Sequence, residues 1–158
     1  MKKVFLILIF AFLIPIKVYA NEDTYISDTA YNACVQYGEE YCICPELLMA
    51  IIERESGGQA EAENSGCMGL MQISAKWHKE RMYRLGVTNI FNEEQNIHVA
   101  ADYLAELFER YDEVYLVLIC YNMGESGAQK LFDKGIYESD YAIEICERAE
   151  ELERLHGK

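Results

Sequence analysis

Positive charge is scarce in this chain: 14 lysines and arginines stand against 27 aspartates and glutamates in 158 residues. A nucleic-acid partner is excluded on that ground, because phosphates demand a cationic surface. The same imbalance argues against indiscriminate adhesion to an anionic cell wall, so a wall substrate would need a specific cleft. Only one long apolar run exists, at residues 4–16. Nothing in the remainder is apolar for long enough to suggest a membrane span of about 20 residues. Zinc is poorly provided for. No C-x2-C pair occurs, the closest cysteines being Cys42 and Cys44, and the three histidines His78, His98 and His156 are scattered. Repeats and low-complexity linkers are also missing.

The apolar run follows Lys2 and Lys3 and leads to Val18-Tyr19-Ala20, after which the chain turns polar at Asn21-Glu22-Asp23. This is the layout of a signal peptide, residues 1–20, cut after Ala20; an uncleaved anchor is the alternative. Export leaves residues 21–158, a single domain of 138 residues with 11 basic against 27 acidic groups and a net charge of −16. The expected place of action is the periplasm or the extracellular space, with no stable membrane span after cleavage. Six cysteines lie in that part, Cys34, Cys42, Cys44, Cys67, Cys120 and Cys146. In an exported chain an even number points to disulfides, whose connectivity sequence alone does not decide.

Helical patterns dominate, and an all-α domain with at most a minor β element is expected. Pro45 suits a first helical position, and Leu47, Leu48, Ile51 and Ile52 form an apolar stripe ended by Gly57-Gly58. Residues 59–73 lack periodicity and read as a loop, followed by a short helix over 74–85 up to Gly86. Asn92, with Gln95 three residues on, resembles a capping box for a helix reaching about Arg110, with Ile97, Ala101, Leu104 and Phe108 on its apolar face. Residues 114–120 read as a buried helix, and 125–132 and 139–155 as two more, the last amphipathic.

Glu55 continues the apolar stripe of its helix, four residues after Ile51 and three after Ile52. Partial desolvation there disfavours the carboxylate, and a carboxyl that keeps its proton near neutrality can act as a general acid. Pairing with Arg54 or Arg81 is the structural alternative. Glu53, rotated by about 200° from the stripe, should face water. Beyond the helix, the glycines of Ser65-Gly66-Cys67-Met68-Gly69-Leu70-Met71-Gln72 allow close approach of a ligand, and Gln72 offers a donor and an acceptor for sugar hydroxyls. Tyr121-Asn122-Met123-Gly124 closes the most buried segment with an aromatic and an amide. Tyr121 suits either stacking on a sugar ring or a hydrogen bond to a carboxyl, or simply the core.

In order, Glu55-Ser56, Gly66-x-x-Gly69-Leu70-Met71-Gln72-Ile73, Asn96-Ile97 with Tyr103-Leu104, and Tyr121-Asn122-x-Gly124 resemble the soluble lytic transglycosylase family. That family shares a lysozyme-like fold with goose-type lysozymes, and the resemblance covers about residues 45–145. It implies a lyase that cleaves the β-1,4 bond between N-acetylmuramic acid and N-acetylglucosamine in peptidoglycan glycan strands. The glutamate matching Glu55 would protonate the leaving oxygen and then serve as base, while the muramic 6-hydroxyl closes a 1,6-anhydro ring. No second carboxylate, metal or other cofactor is then required. By the same resemblance Ser56 supports the catalytic carboxyl, Met71 and Gln72 line the cleft, Tyr121 contacts Glu55 or the sugar, and Asn122 supports the surrounding loop. Tyr141 matches a late aromatic of the family only weakly. Cys67 and Cys120 replace alanines of the family in two converging motifs, which suggests a Cys67–Cys120 disulfide or, equally simply, two small buried thiols. Small members of the family often serve secretion, conjugation or phage-entry machines. A goose-type lysozyme hydrolysing the same bond, and a catalytically idle glycan-binding protein, are the competing readings.

Overall fold

The computed structural model describes residues 24–158, and the expected leader lies outside them. Among the described residues seven helices surround one core, with a small sheet at one side. No helix among them is long and apolar enough to cross a membrane.

The first helix, α1 (Asp28–Tyr41), is not foreshadowed by any strong apolar stripe. Its inner face is built from Ala30, Tyr31, Cys34, Tyr37 and Gly38, and Ser27 caps it by accepting from Ala30 N at 3.0 Å. Cys42, in the left-handed region at φ 55°, stops it. Gly38 is needed where α1 meets the next helix: a Cβ there would lie 2.8 Å from both Ile43 O and the Pro45 ring.

Helix α2 (Pro45–Ser56) is the central element, opened by Pro45 and ended by Gly57 at φ 60°, as the sequence suggests. It is buried on more than one side: Glu46 through Ile52 are all inaccessible. This explains why Glu53 does not face water. Its side chain is only 11% exposed and is gripped by Arg148 from the last helix at 2.7 and 3.2 Å, with Tyr25 N donating at 3.3 Å. At the other end, Glu46 accepts from Lys158 Nζ at 2.9 Å and lies 2.9 Å from His156 Nδ1, tying the C-terminus of the chain to the start of α2.

The segment expected to be a plain loop holds a three-stranded antiparallel meander: β1 (Glu63–Asn64), β2 (Cys67–Met68) and β3 (Ile73–Ser74). Glu63 pairs with Met68, and Met68 in turn with Ile73. Ser65 and Gly66, at φ 53° and 84°, make the two-residue turn with positive φ at both positions that suits a tight hairpin. Strands of two residues are too short to show alternation in sequence.

Helix α3 (Lys79–Arg84) is shorter than expected, with residues 75–78 left as an irregular approach to it. Helix α4 (Glu93–Phe108) is capped by Asn92, whose Oδ1 accepts from Gln95 N at 3.0 Å. The reciprocal half of a capping box is absent, because Gln95 Oε1 instead accepts from Thr88 N and Asn89 N. Helices α5 (Val114–Met123), α6 (Glu125–Phe132) and α7 (Asp140–Leu155) complete the domain. In α5, Val117 to Cys120 are inaccessible, so the β-branched run is a core helix and not a strand.

Candidate active site

A cleft of about 820 Å³ opens between the meander, the approach to α3, and the α5–α6 junction; Glu55, Gln72, Trp77, Tyr103, Tyr121 and Asn122 are among its walls. Glu55 enters from the last turn of α2 and is half-buried. Burial raises its pKa above the ordinary carboxyl range, against the opposing pull of a hydrogen bond from Tyr141 and the charge of Arg54. Tyr141 Oη donates to Glu55 Oε1 at 2.6 Å, across 86 residues of sequence. The ion-pair alternative for Glu55 falls away. Arg54 turns to Glu144 at 2.9 Å, and Arg81 is held by Asp102 and Glu106.

Two other carboxylates reach the cleft, Glu106 and Glu125. Both are committed to cations: Glu106 to Arg81 and Arg110, and Glu125 to Arg110 at 2.6 Å. The hydrogen bond from Arg81 leads the effects that hold Glu106 below its usual pKa. The cleft therefore contains one carboxyl whose pKa burial raises and two that are paired with arginines.

The wall beside Glu55 hangs on Asn96. This amide is wholly buried, accepts from Met71 N at 2.8 Å, and donates to Met68 O and Ile90 O at 2.9 Å each. One side chain thus satisfies two backbone groups of the motif loop, at Met68 and Met71, and ties them to a third at Ile90. Gly69 is required against it: at φ 77° an added Cβ would sit 2.3 Å from Asn96 Nδ2. Gln72, itself at φ 48°, lines the cleft and spends its amide protons on Gly69 O and Ala62 O at 3.0 and 3.2 Å.

The remaining expected residues are distributed unevenly. Met71 has its side chain in the core, fully inaccessible, and reaches the site only through its carbonyl, which accepts from Tyr121 Oη at 2.8 Å. Tyr121 lines the cleft with its hydroxyl directed to Met71 and not to Glu55. Asn122 is exposed on the cleft wall. Ser56 Oγ bonds back to Ile52 O at 3.2 Å within its own helix, so it offers Glu55 no hydrogen bond. All six cysteines are free thiols, and no Cys67–Cys120 bridge is formed. Cys67 faces the cleft, whereas the buried Cys120 meets the Tyr111 hydroxyl.

Away from the cleft, Cys44, Glu46 and Glu153 bring donor atoms within 4.8 Å of one another. Lys158 and His156 already occupy Glu46, and the Cys44 sulfur lies 3.1 and 3.2 Å from Glu46 and Glu153, with one proton to share between them. These contacts account for the cluster as a polar tie between α2 and α7. Tyr141, matched only weakly by the resemblance, reaches the site through its bond to Glu55, and Trp77, which no sequence motif singled out, stands on the cleft wall.

The fold is that of a lytic transglycosylase domain. The structure aligns with that of an inactive mutant of the lytic transglycosylase Slt from Pseudomonas aeruginosa with a TM-score of 0.68 and 17% identity, over 79% of this chain and 24% of that one. The Transglycosylase SLT domain family matches residues 21–141, and this chain belongs to that family. The match begins earlier than the four motifs do and takes in α1. A transglycosylase of Enterobacteria phage PRD1 is 34% identical over 90 residues, which are 56% of this chain and 32% of the phage protein. Protein IpgF of Shigella flexneri is 34% identical over 101 residues, 59% of this chain and 66% of that protein. This chain therefore spans about a third of the one relative and just under two thirds of the other.

Proposed function

We propose that the protein is a peptidoglycan lytic transglycosylase with Glu55 as its single acid–base group. The observation that carries this reading is the contrast among the cleft carboxyls. Glu55 is desolvated and hydrogen-bonded by Tyr141, while Glu106 and Glu125 are tied to arginines. Glu55 gives its proton to the glycosidic oxygen between N-acetylmuramic acid and N-acetylglucosamine as the bond to the anomeric carbon breaks. The muramic 6-hydroxyl bonds to that carbon, and its proton passes to the Glu55 carboxylate. The acid is restored and a 1,6-anhydro end remains. Two carboxyls are the usual requirement for glycoside hydrolysis; an internal nucleophile removes the need for the second. Gln72, Asn122 and Tyr121 supply polar groups and a ring face to the glycan along the wall.

Membership of the family supports work at the cell wall, and export to the periplasm or the outside is part of the proposal. The likeness to a phage transglycosylase favours service in a local wall-opening machine, whether for phage entry, secretion or conjugation. The test is to incubate residues 21–158 with sacculi, beside Glu55→Gln, and identify products by mass spectrometry. Anhydro-muramyl ends from the wild type alone are expected. Reducing ends would make it a lysozyme, and glycan binding without product from either protein would make it an idle binder.

A further inference from the structure

Trp77 is the only tryptophan in the chain, and it is 77% exposed. So exposed an indole adds little burial to the fold and leaves its ring face open to a ligand. It stands on the irregular approach to α3 and lines the same cleft as Glu55. Between the two runs a set of aromatic rings. The Tyr121 and Tyr103 centroids are 5.7 Å apart, and those of Tyr103 and His78 are 4.5 Å apart. Lys76 places its ammonium 4.9 Å from the Trp77 ring centre, a loose cover that leaves most of the indole open. Burial and the charge of Arg81 push His78 down to about 4, so at neutral pH its ring offers one donor and one acceptor to a neighbouring ligand.

We infer that Trp77 and His78 form a remote sugar-binding subsite, in which the indole stacks on a pyranose ring of an N-acetylated β-1,4 glycan and the imidazole bonds its polar substituents. The inference rests on the function proposed above and adds a point of grip distant from the bond that is cut. An apolar indole face against the C–H face of a sugar, beside an imidazole that bonds polar substituents, suits an N-acetylated sugar ring. The strand would then be held along the Tyr121–Tyr103–His78 wall with Glu55 at one end and Trp77 at the other.

The lone tryptophan makes the test direct. Glu55→Gln protein is titrated with the β-1,4 tetrasaccharide of N-acetylglucosamine, which is followed by calorimetry and by indole emission. Blue-shifted emission and loss of iodide quenching that saturate with binding are expected. Trp77→Ala in the same background should weaken binding about tenfold, the scale of one aromatic contact plus its buried area. Trp77→Phe should recover most of the loss. In the cleaving protein, Trp77→Ala should raise KM for sacculi more than it lowers kcat. Emission and quenching unchanged by an oligosaccharide that calorimetry shows to be bound would overturn the subsite and leave the proposed function standing. No oligosaccharide binding, together with no cleavage of sacculi by the wild type, would overturn both.

Discussion

Replacing Asn96 by aspartate changes one atom's chemistry and almost nothing of its shape. Oδ1 can still accept from Met71 N, but the group that donated to Met68 O and Ile90 O is gone. Each buried carbonyl left without a donor costs about 1–3 kcal/mol. Two of them give about 2–6 kcal/mol at pH 7, where the new oxygen is also negative and faces both carbonyls. That is a large part of the roughly 5–15 kcal/mol that holds a domain folded. At about 3–5 °C per kcal/mol for a domain of this size, thermal unfolding should fall by about 6–30 °C. The penalty depends on pH. Burial against two carbonyls raises the folded-state pKa of the new carboxyl above its unfolded value of about 3.9. The deficit relative to wild type is therefore smallest below that value and grows as pH rises through the folded pKa. Urea unfolding of wild type and Asn96→Asp at pH 4 and pH 7 measures both effects. Asn96→Ala supplies the control, with a deficit that does not change with pH. A loss under about 1 kcal/mol at pH 7, or a deficit equal at the two pH values, would refute the role given to this amide.

Tyr141→Phe removes the hydroxyl that favours the Glu55 carboxylate, so the limb on which kcat/KM falls with rising pH should move upward. The rate at its optimum should drop by about tenfold through lost positioning; a limb that stays or moves down would contradict this. Glu46→Gln should flatten the acid side of the stability curve. Burial alone would raise the Glu46 pKa, but hydrogen bonds from Lys158, His156 and Cys44 outweigh it and hold the group at about 2. Its stabilisation is present above the unfolded value of about 4.3 and is lost as pH falls toward about 2, which acid titration of wild type and variant would show.

Periodicity and caps made α2, α4, α5 and α7 legible, because each carries a strong apolar face or a side-chain cap. Helix α1 escaped because its inner face is made of alanine, tyrosine, cysteine and glycine, which no hydrophobic stripe announces. Glu53 was misplaced for a related reason. A helix buried on several sides has no water-facing half, and the Arg148 that neutralises Glu53 is 95 residues away. In the site, Glu55 was readable from its own helix, and the loop glycines from their motif. What a single sequence does not carry is the direction of each side chain within a motif. Met71 and Gln72 are adjacent, yet one fills the core and the other the cleft. Tyr141 and Trp77 needed tertiary structure: the first meets Glu55 only across the fold, and the second sat inside a stretch read as helix.

Glu55 is the penultimate residue of a twelve-residue helix, and this position has an electrostatic consequence. The final carbonyls of a helix carry roughly half a negative charge, which welcomes cations and opposes a carboxylate within the last turn. Burial is the main cause of the proton affinity at Glu55, and the end of α2 acts in the same sense. In the proposed reaction the group must first hold a proton at neutral pH and, having released it, take one from a sugar hydroxyl. A field that makes the anion uncomfortable serves both halves. The helix that carries the glutamate into the cleft would then also help return it, after each cleavage, to the protonated form with which the cycle begins.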